Sequence, residues 1–326
     1  MNKQGVFDVT LRGAVLAIGF LLGVARGDDE PKKQEPPAIV GRWDMTVHSS
    51  AEDYPSWLEV RQSGYRTLVG TFVGRTGSAR PISRIEFEGD RIRFTMPPQW
   101  ERRQKDVHFE GQIEGDALHG ETTDDTGARV NWTARRAPAL KRERAPKWGK
   151  PIHLFNDRDL TGWRPRSEKT KSGWSARDGL LANGFAGTDL VTEGKFTDFK
   201  LHAEFRYPRG SNSGIYLRGR YEVQIEDNFG DDPDSHKIGG IYGFLTPRIN
   251  TARKAGDWQE MEITLVGRVV TVVFNGECII DRQTIPGITG GALDSDEGAP
   301  GPILLQGDHG PIDFRKLTIT PAVSPE

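Results

Sequence analysis

Residues Phe199–Arg206 alternate apolar and polar side chains without a break, and Tyr221–Glu226 repeat the pattern. A period of two sends successive side chains to opposite faces, which a β-strand satisfies and a helix does not. Shorter runs at 57–61, 85–88 and 91–94 alternate too, apart from the adjacent Trp57 and Leu58. Between runs stand turn pairs: Gly89-Asp90, Gly115-Asp116 and Asn275-Gly276, the last closing Val269–Phe274 into a hairpin. Within 38–136 no stretch sustains a 3.6-residue period, beyond it helical candidates are few, and 39 glycines among 326 residues suit short strands joined by tight turns. The predicted fold is all-β. Residues 38–136 read as a small antiparallel meander or barrel, 137–147 as a Pro- and Lys/Arg-rich linker, 148–321 as a two-sheet sandwich or jelly roll, and 322–326 as a tail.

Lys3 and Arg12 precede an apolar run at 14–24, followed by Ala25-Arg26-Gly27 with small residues where a signal peptidase reads. This predicts a signal peptide over 1–27, a flexible tether over 28–37, and an exported protein, periplasmic or extracellular, with no membrane association after cleavage. A net charge of −2 gives no basis for a nucleic-acid partner. Cys278 is the single cysteine, so stability has to come from the core rather than a disulfide, and the thiol reads as a small strand residue. Gly41-Arg42-Trp43, with Trp132 and Arg135, is similar to the way lipocalin-type barrels begin and end. A tryptophan plugging one end of the barrel accounts for that pattern without a ligand.

Parity also separates the faces. Tyr221, Val223 and Ile225 form a core set, leaving Glu222, Gln224 and Glu226 on the other face. By the same count His202, Glu204, Arg206, Tyr216, Arg218 and Gln306 point away from the core. If these strands are neighbours, one sheet face gathers carboxylates, guanidinium groups and amides, the planar bidentate partners that a polyhydroxylated ring requires. A merely solvated face is the plainer reading for any one strand. Two loops favour a site: Gly210-Ser211-Asn212-Ser213-Gly214, and Gln306-Gly307-Asp308-His309-Gly310, which sets an imidazole between glycines at a strand end.

An ordered set of motifs runs through Leu154-Phe155-Asn156, Asp159-Leu160-Thr161-Gly162-Trp163, Trp174 and Asp178-Gly179-Leu180-Leu181. It continues through Asn212-Ser213-Gly214-Ile215-Tyr216-Leu217-Arg218, Tyr221-Glu222-Val223-Gln224-Ile225 and Gly239-Gly240-Ile241-Tyr242-Gly243. It closes with Gly256-Asp257-Trp258, Phe274-Asn275-Gly276, Gly301-Pro302-Ile303-Leu304-Leu305-Gln306, Asp308-His309-Gly310 and Phe314-Arg315. In this order and spacing the segment 148–321 resembles the 3-keto-disaccharide hydrolase family. Lys316 departs from it, standing where the family commonly has Asn.

The resemblance implies a concanavalin-like jelly roll acting on a 3-keto-glycoside, an oxidised saccharide whose ketone acidifies the neighbouring carbon-bound hydrogen. On that basis Glu222 or His309 is expected as base or acid. Arg206, Asn212, Arg218 and Gln224 would bind hydroxyls or the enolate, with Gln306 and Asp227 as further contacts. No cofactor is expected; a divalent metal would find Asp227, although no spaced His/carboxylate set compels one. The alternative is a carbohydrate-binding module that uses the same face without turnover. Glu222 and His309 sharing one pocket would favour catalysis, and a flat Trp-rich face would favour binding.

Overall fold

In the computed structural model, residues 35–49, 51–98, 105–124 and 126–323 are described, and among them there is no helix. The expected signal peptide lies outside these residues, as do most of the tether and the last three residues.

The first eight strands are β1 (Gly41–His48), β2 (Tyr54–Ser63), β3 (Thr67–Val73), β4 (Arg80–Glu88), β5 (Arg91–Met96), β6 (Val107–Glu114), β7 (Ala117–Thr123) and β8 (Arg129–Arg136). They form a closed up-and-down barrel in which β1 pairs antiparallel with both β2 and β8. Closure removes both sheet edges, as such small sheets require. Trp43 and Trp132 are fully buried. Trp132 fits because Gly111 and Gly120 lie beneath it: a Cβ at either would come within 2.4 or 2.6 Å of the indole. Arg136, one residue beyond the expected Arg135, covers the Trp43 ring at 3.8 Å.

The remaining strands are β9 (Lys147–Trp148), β10 (Ile152–His153), β11 (Trp163–Pro165), β12 (Trp174–Arg177), β13 (Leu180–Asn183), β14 (Leu190–Thr192) and β15 (Phe199–Arg206). They continue with β16 (Asn212–Leu217), β17 (Tyr221–Glu226), β18 (Gln259–Val266), β19 (Val269–Phe274), β20 (Glu277–Thr284), β21 (Leu304–Leu305) and β22 (Ile312–Val323). The larger sheet runs β12-β13-β22-β15-β18-β19-β20, with β9 and β10 also pairing β22; the smaller runs β11-β14-β21-β16-β17. Between the two sheets lie Phe199, Leu201, Ala203 and Phe205 from one and Ile215, Leu217, Tyr221, Val223 and Ile225 from the other. Each of these was expected inward from parity. The strand partners were not legible in parity: β15 pairs β18 and β22, so Glu204 and Arg206 lie on the outer face of the larger sheet, away from Glu222. There Glu204 accepts from Arg315 at 2.6 Å and pairs with Lys316 at 3.3 Å, which gives the departing lysine a structural partner.

The segment 137–147 has little regular structure but is held: Arg142 binds the buried Asp198 with two nitrogens, at 2.6 and 3.1 Å. The barrel packs directly on the sandwich. Trp57 and Val73 join the sandwich core, and Trp57 meets Phe244 edge-on at 5.8 Å. Asp44 of β1 faces Glu297 of the sandwich; burial first, and then the opposing carboxyl, hold Asp44 above the usual carboxylate range, while burial also raises Glu297. Tyr221 donates to Glu297 Oε1 at 2.6 Å. Two facing carboxyls in a dry junction retain a proton that the unfolded chain releases near pH 4. Stability is therefore greatest at low pH with respect to this pair, and falls as pH rises towards the elevated folded value. Asp44→Asn is expected to flatten that decline, read as a shallower drop in Tm between pH 5 and 8 than in the wild type.

Candidate active site

Strands β16 and β17 form a hairpin with Tyr216 opposite Glu222 and Gly214 opposite Gln224. These residues face away from the sandwich core, yet Glu222 and Gln224 are each only 4% exposed. The segment following β20 folds over them, with Leu293 packed against Val191, Tyr216 and Leu304. The Glu222 side chain lies across Gly214, where a Cβ would sit 2.5 Å from Oε1, so a glycine is needed there. Thr289 Oγ1 accepts the Glu222 amide N–H at 3.0 Å, fixing the backbone.

Burial pushes the Glu222 carboxyl up to about 8, against the lowering effects of the Tyr216 hydroxyl and His309. Hydrogen bonding leads to the same protonation state. Tyr216 Oη lies 2.9 Å from Glu222 Oε2 and 2.9 Å from the Gly290 carbonyl, but a phenol has one proton. If Glu222 is ionised, one of these acceptors receives none. If Glu222 carries a proton, it donates to Tyr216, and Tyr216 donates to Gly290, so every contact is satisfied. The Tyr216 phenol itself is held protonated, chiefly by burial and also by the neighbouring carboxyl.

His309 follows β21 on a tight loop. The Gly307 N–H donates to Asp189 Oδ1 at 3.0 Å, and Arg166 binds Asp189 Oδ2 at 3.1 Å. A Cβ at Gly307 would lie 2.4 Å from both the Thr188 carbonyl and Trp174 Nε1, so this loop seats only with glycine. His309 Nδ1 is 2.5 Å from Asp308 Oδ1, and that hydrogen bond is the main reason the imidazole is raised above its ordinary value. With Nδ1 engaged, Nε2 is the ring nitrogen left to exchange a proton.

Glu222 and His309 line one cavity of about 420 Å³, together with Asn212, Tyr216, Gln224, Tyr242, Gln306 and Asp308. Its size suits a small-molecule ligand, for which sites of ~300–1,000 Å³ are typical. Gln224 donates Nε2 to the His236 carbonyl at 3.1 Å, which fixes the amide orientation. Among the described residues the Oε1 atoms of Gln224 and Gln306 have no protein partner, an arrangement that is costly unless a ligand or solvent hydroxyl donates to them.

Five of the eight residues expected at the site thus meet: Glu222, His309, Asn212, Gln224 and Gln306. Three do not. Arg206 pairs with Asp313 at 3.0 Å and stacks on Trp258, on the other sheet. Arg218 occupies the β16–β17 turn with φ 54°, which breaks the strand parity and turns the side chain into the interior. It is fully buried there, donating to Tyr221 Oη and the Gly267 carbonyl at 2.9 Å each. Asp227 Oδ2 accepts the Gly210 N–H at 2.9 Å, closing the loop that precedes Asn212. Among the described residues one group brings three potential metal ligands together, His202, Glu260 and Glu262, on the larger sheet and away from the cavity.

Tyr216 as the partner of Glu222 was within reach of the sequence, since a tight turn at 218–220 sets the register. Asp189, Gly290 and Gly291 carried no local signal. Nor did Thr76 and Gly77, which come from the barrel and line the same cavity.

Fold and site together define a jelly roll with a buried acid, an imidazole and amides gathered in a cavity on its smaller sheet. Residues 150–320 match the family described as the 3-keto-alpha-glucoside-1,2-lyase-like domain, and the chain belongs to that family. It is similar to a 3-keto-disaccharide hydrolase of Bacteroides thetaiotaomicron, 32% identical over 167 residues, which cover 40% of this chain and 57% of that protein. The match therefore spans little more than half the length of that relative. A Parabacteroides distasonis protein solved as a candidate glycosyl hydrolase is 29% identical, covering 55% of this chain and 93% of that one, with a TM-score of 0.45. A second from the same organism is 26% identical, covering 52% and 98%, with a TM-score of 0.42.

Proposed function

We propose that this protein cleaves 3-keto-glycosides by elimination followed by hydration. The observation that carries the reading is a buried carboxyl, Glu222, held protonated in the same cavity as the Asp308-paired imidazole of His309, within a domain of the lyase-like family. His309 is the base. Its Nε2 takes the proton from carbon two, and the electron pair forms the enolate with the ketone oxygen at carbon three. The amide of Asn212, which lines the same cavity, is assigned to stabilise that oxygen. The enolate then collapses, carbon one and carbon two become doubly bonded, and the aglycone oxygen leaves carbon one with the proton of Glu222. Water adds across the double bond, hydroxyl to carbon one and proton to carbon two, giving free 3-keto-glucose and the aglycone alcohol. The unpaired amide oxygens of Gln224 and Gln306 accept from sugar hydroxyls. Arg206 and Arg218 take no part in this scheme. Export is proposed on the N-terminal sequence alone.

The direct test is incubation with 3-keto-trehalose and a 3-keto-glucoside, following release of 3-keto-glucose. His309→Ala should reduce turnover by roughly 10²–10⁴-fold, the usual contribution of a positioned base, while leaving the circular-dichroism melt unchanged, because His309 is exposed. Binding of unreacted sugar without release from any linkage would favour the non-catalytic module instead. Among the described residues no tryptophan lines the cavity, which speaks against that alternative.

A further inference from the structure

The acid, the imidazole and the amides of the cavity all belong to residues 150–320, the span the family shares. Thr76 and Gly77 do not; they come from the β3–β4 segment of the barrel, outside that span, yet line the same cavity. We propose that this barrel segment forms the leaving-group subsite, so that the barrel selects which aglycone the sandwich cleaves. The inference rests on the proposed reaction for the meaning of its two halves. The 3-keto-glucosyl ring is common to every such substrate and would be held by the common domain. The aglycone is what varies, and a wall supplied from outside the common domain is the part free to vary with it.

The segment is fixed against the sandwich. The Gly291 N–H donates to the Arg75 carbonyl at 2.9 Å. Gly290 lies so close that a Cβ there would be 2.2 Å from the Gly77 carbonyl oxygen and 2.8 Å from its nitrogen. Gly77 holds φ 81°, a backbone that other residues rarely adopt. The wall is thus built into the cavity, and Gly290 also supplies the carbonyl that Tyr216 reaches, which sets the barrel segment next to the Tyr216–Glu222 pair. That is the side at which the acid meets the departing oxygen. The segment offers a hydroxyl from Thr76 and the peptide groups of Gly77, with no aromatic or aliphatic platform. Such a wall suits a hydroxylated aglycone, a second sugar, better than an aryl or alkyl one.

Calorimetric titration in a Glu222→Gln background, where turnover does not interfere, separates the two halves. The ligands are 3-keto-glucose and a 3-keto-disaccharide. Thr76 is exposed, so Thr76→Trp fills space without disturbing the core. It is expected to weaken the disaccharide by about 10–100-fold, the cost of overpacking a formed site, and to leave 3-keto-glucose within about twofold. Thr76→Ala should weaken the disaccharide alone by a few-fold. Equal losses for both ligands, or no loss for either, would overturn the subsite. Because binding is read rather than turnover, an intact protein that binds both sugars and cleaves neither would defeat the reaction and leave the subsite standing.

Discussion

Glu222→Gln is expected to lower kcat/KM on 3-keto-glycosides by roughly 10²–10⁴-fold and, more tellingly, to change the shape of the pH profile. In the wild type the imidazole of His309 must be neutral to act as base, and its value is raised above 6.5 by Asp308. Glu222 must be protonated to act as acid, and its value lies at about 8. Activity should therefore rise as the imidazole loses its proton and fall as Glu222 loses its own at about 8. Glutamine keeps the shape of the side chain and its contact with Tyr216 but has no acidic proton. The alkaline limb should vanish in the variant, leaving residual activity that rises with pH and then stays level. This one curve also fixes the direction of proton transfer. If the residual activity instead falls as His309 loses its proton, the imidazole is the acid and Glu222 was the base. Wild-type turnover in the variant would remove Glu222 from the chemistry altogether.

The strands that carry this site were legible because both faces of each are committed. Along β17, Tyr221, Val223 and Ile225 fill the sandwich core and Glu222 and Gln224 line the cavity, so the alternation is free of compromise residues. The same clarity marks β15, but alternation is local and carries no record of which strands pair. Arg206 has the right parity and stands on the wrong sheet. Arg218 fails for another reason: parity presumes extended backbone, and a residue at φ 54° has left the strand. The role of Tyr216 was available from hairpin register, whereas the reason Glu222 is buried was not. Its cover comes from the segment after β20, which is held in turn against the barrel, both remote in the chain. Their approach is marked in sequence only by glycines that look like ordinary turns: Gly287 and Gly290 are read correctly only once the barrel is seen against them.

Trp57→Ala tests whether that approach sustains the site. Trp57 belongs to barrel strand β2 but is fully buried in the sandwich core cluster, edge-on to Phe244. Gly287 leaves it room; a Cβ there would lie 2.2 Å from the indole. Truncation removes the larger of the two buried barrel side chains, Trp57 and Val73, in the sandwich core cluster and leaves a cavity that Gly287 cannot fill, so a loss of roughly 3–5 kcal/mol is expected. Among the described residues the indole Nε1 has no hydrogen-bond partner, so no bond is forfeited to offset or enlarge that figure. Its own core, with Trp43 and Trp132, keeps the barrel folded, and the loss should fall on the junction. Thermal unfolding is therefore expected to begin well below the wild-type transition and to separate into two steps, barrel and sandwich no longer melting together. Between the two steps, with the barrel melted first, the sandwich should retain Glu222 and His309 but bind a 3-keto-disaccharide no better than 3-keto-glucose, because Thr76 and Gly77 are no longer held at the cavity. A variant that melts in one step at the wild-type temperature would show that Trp57 does not couple the two parts.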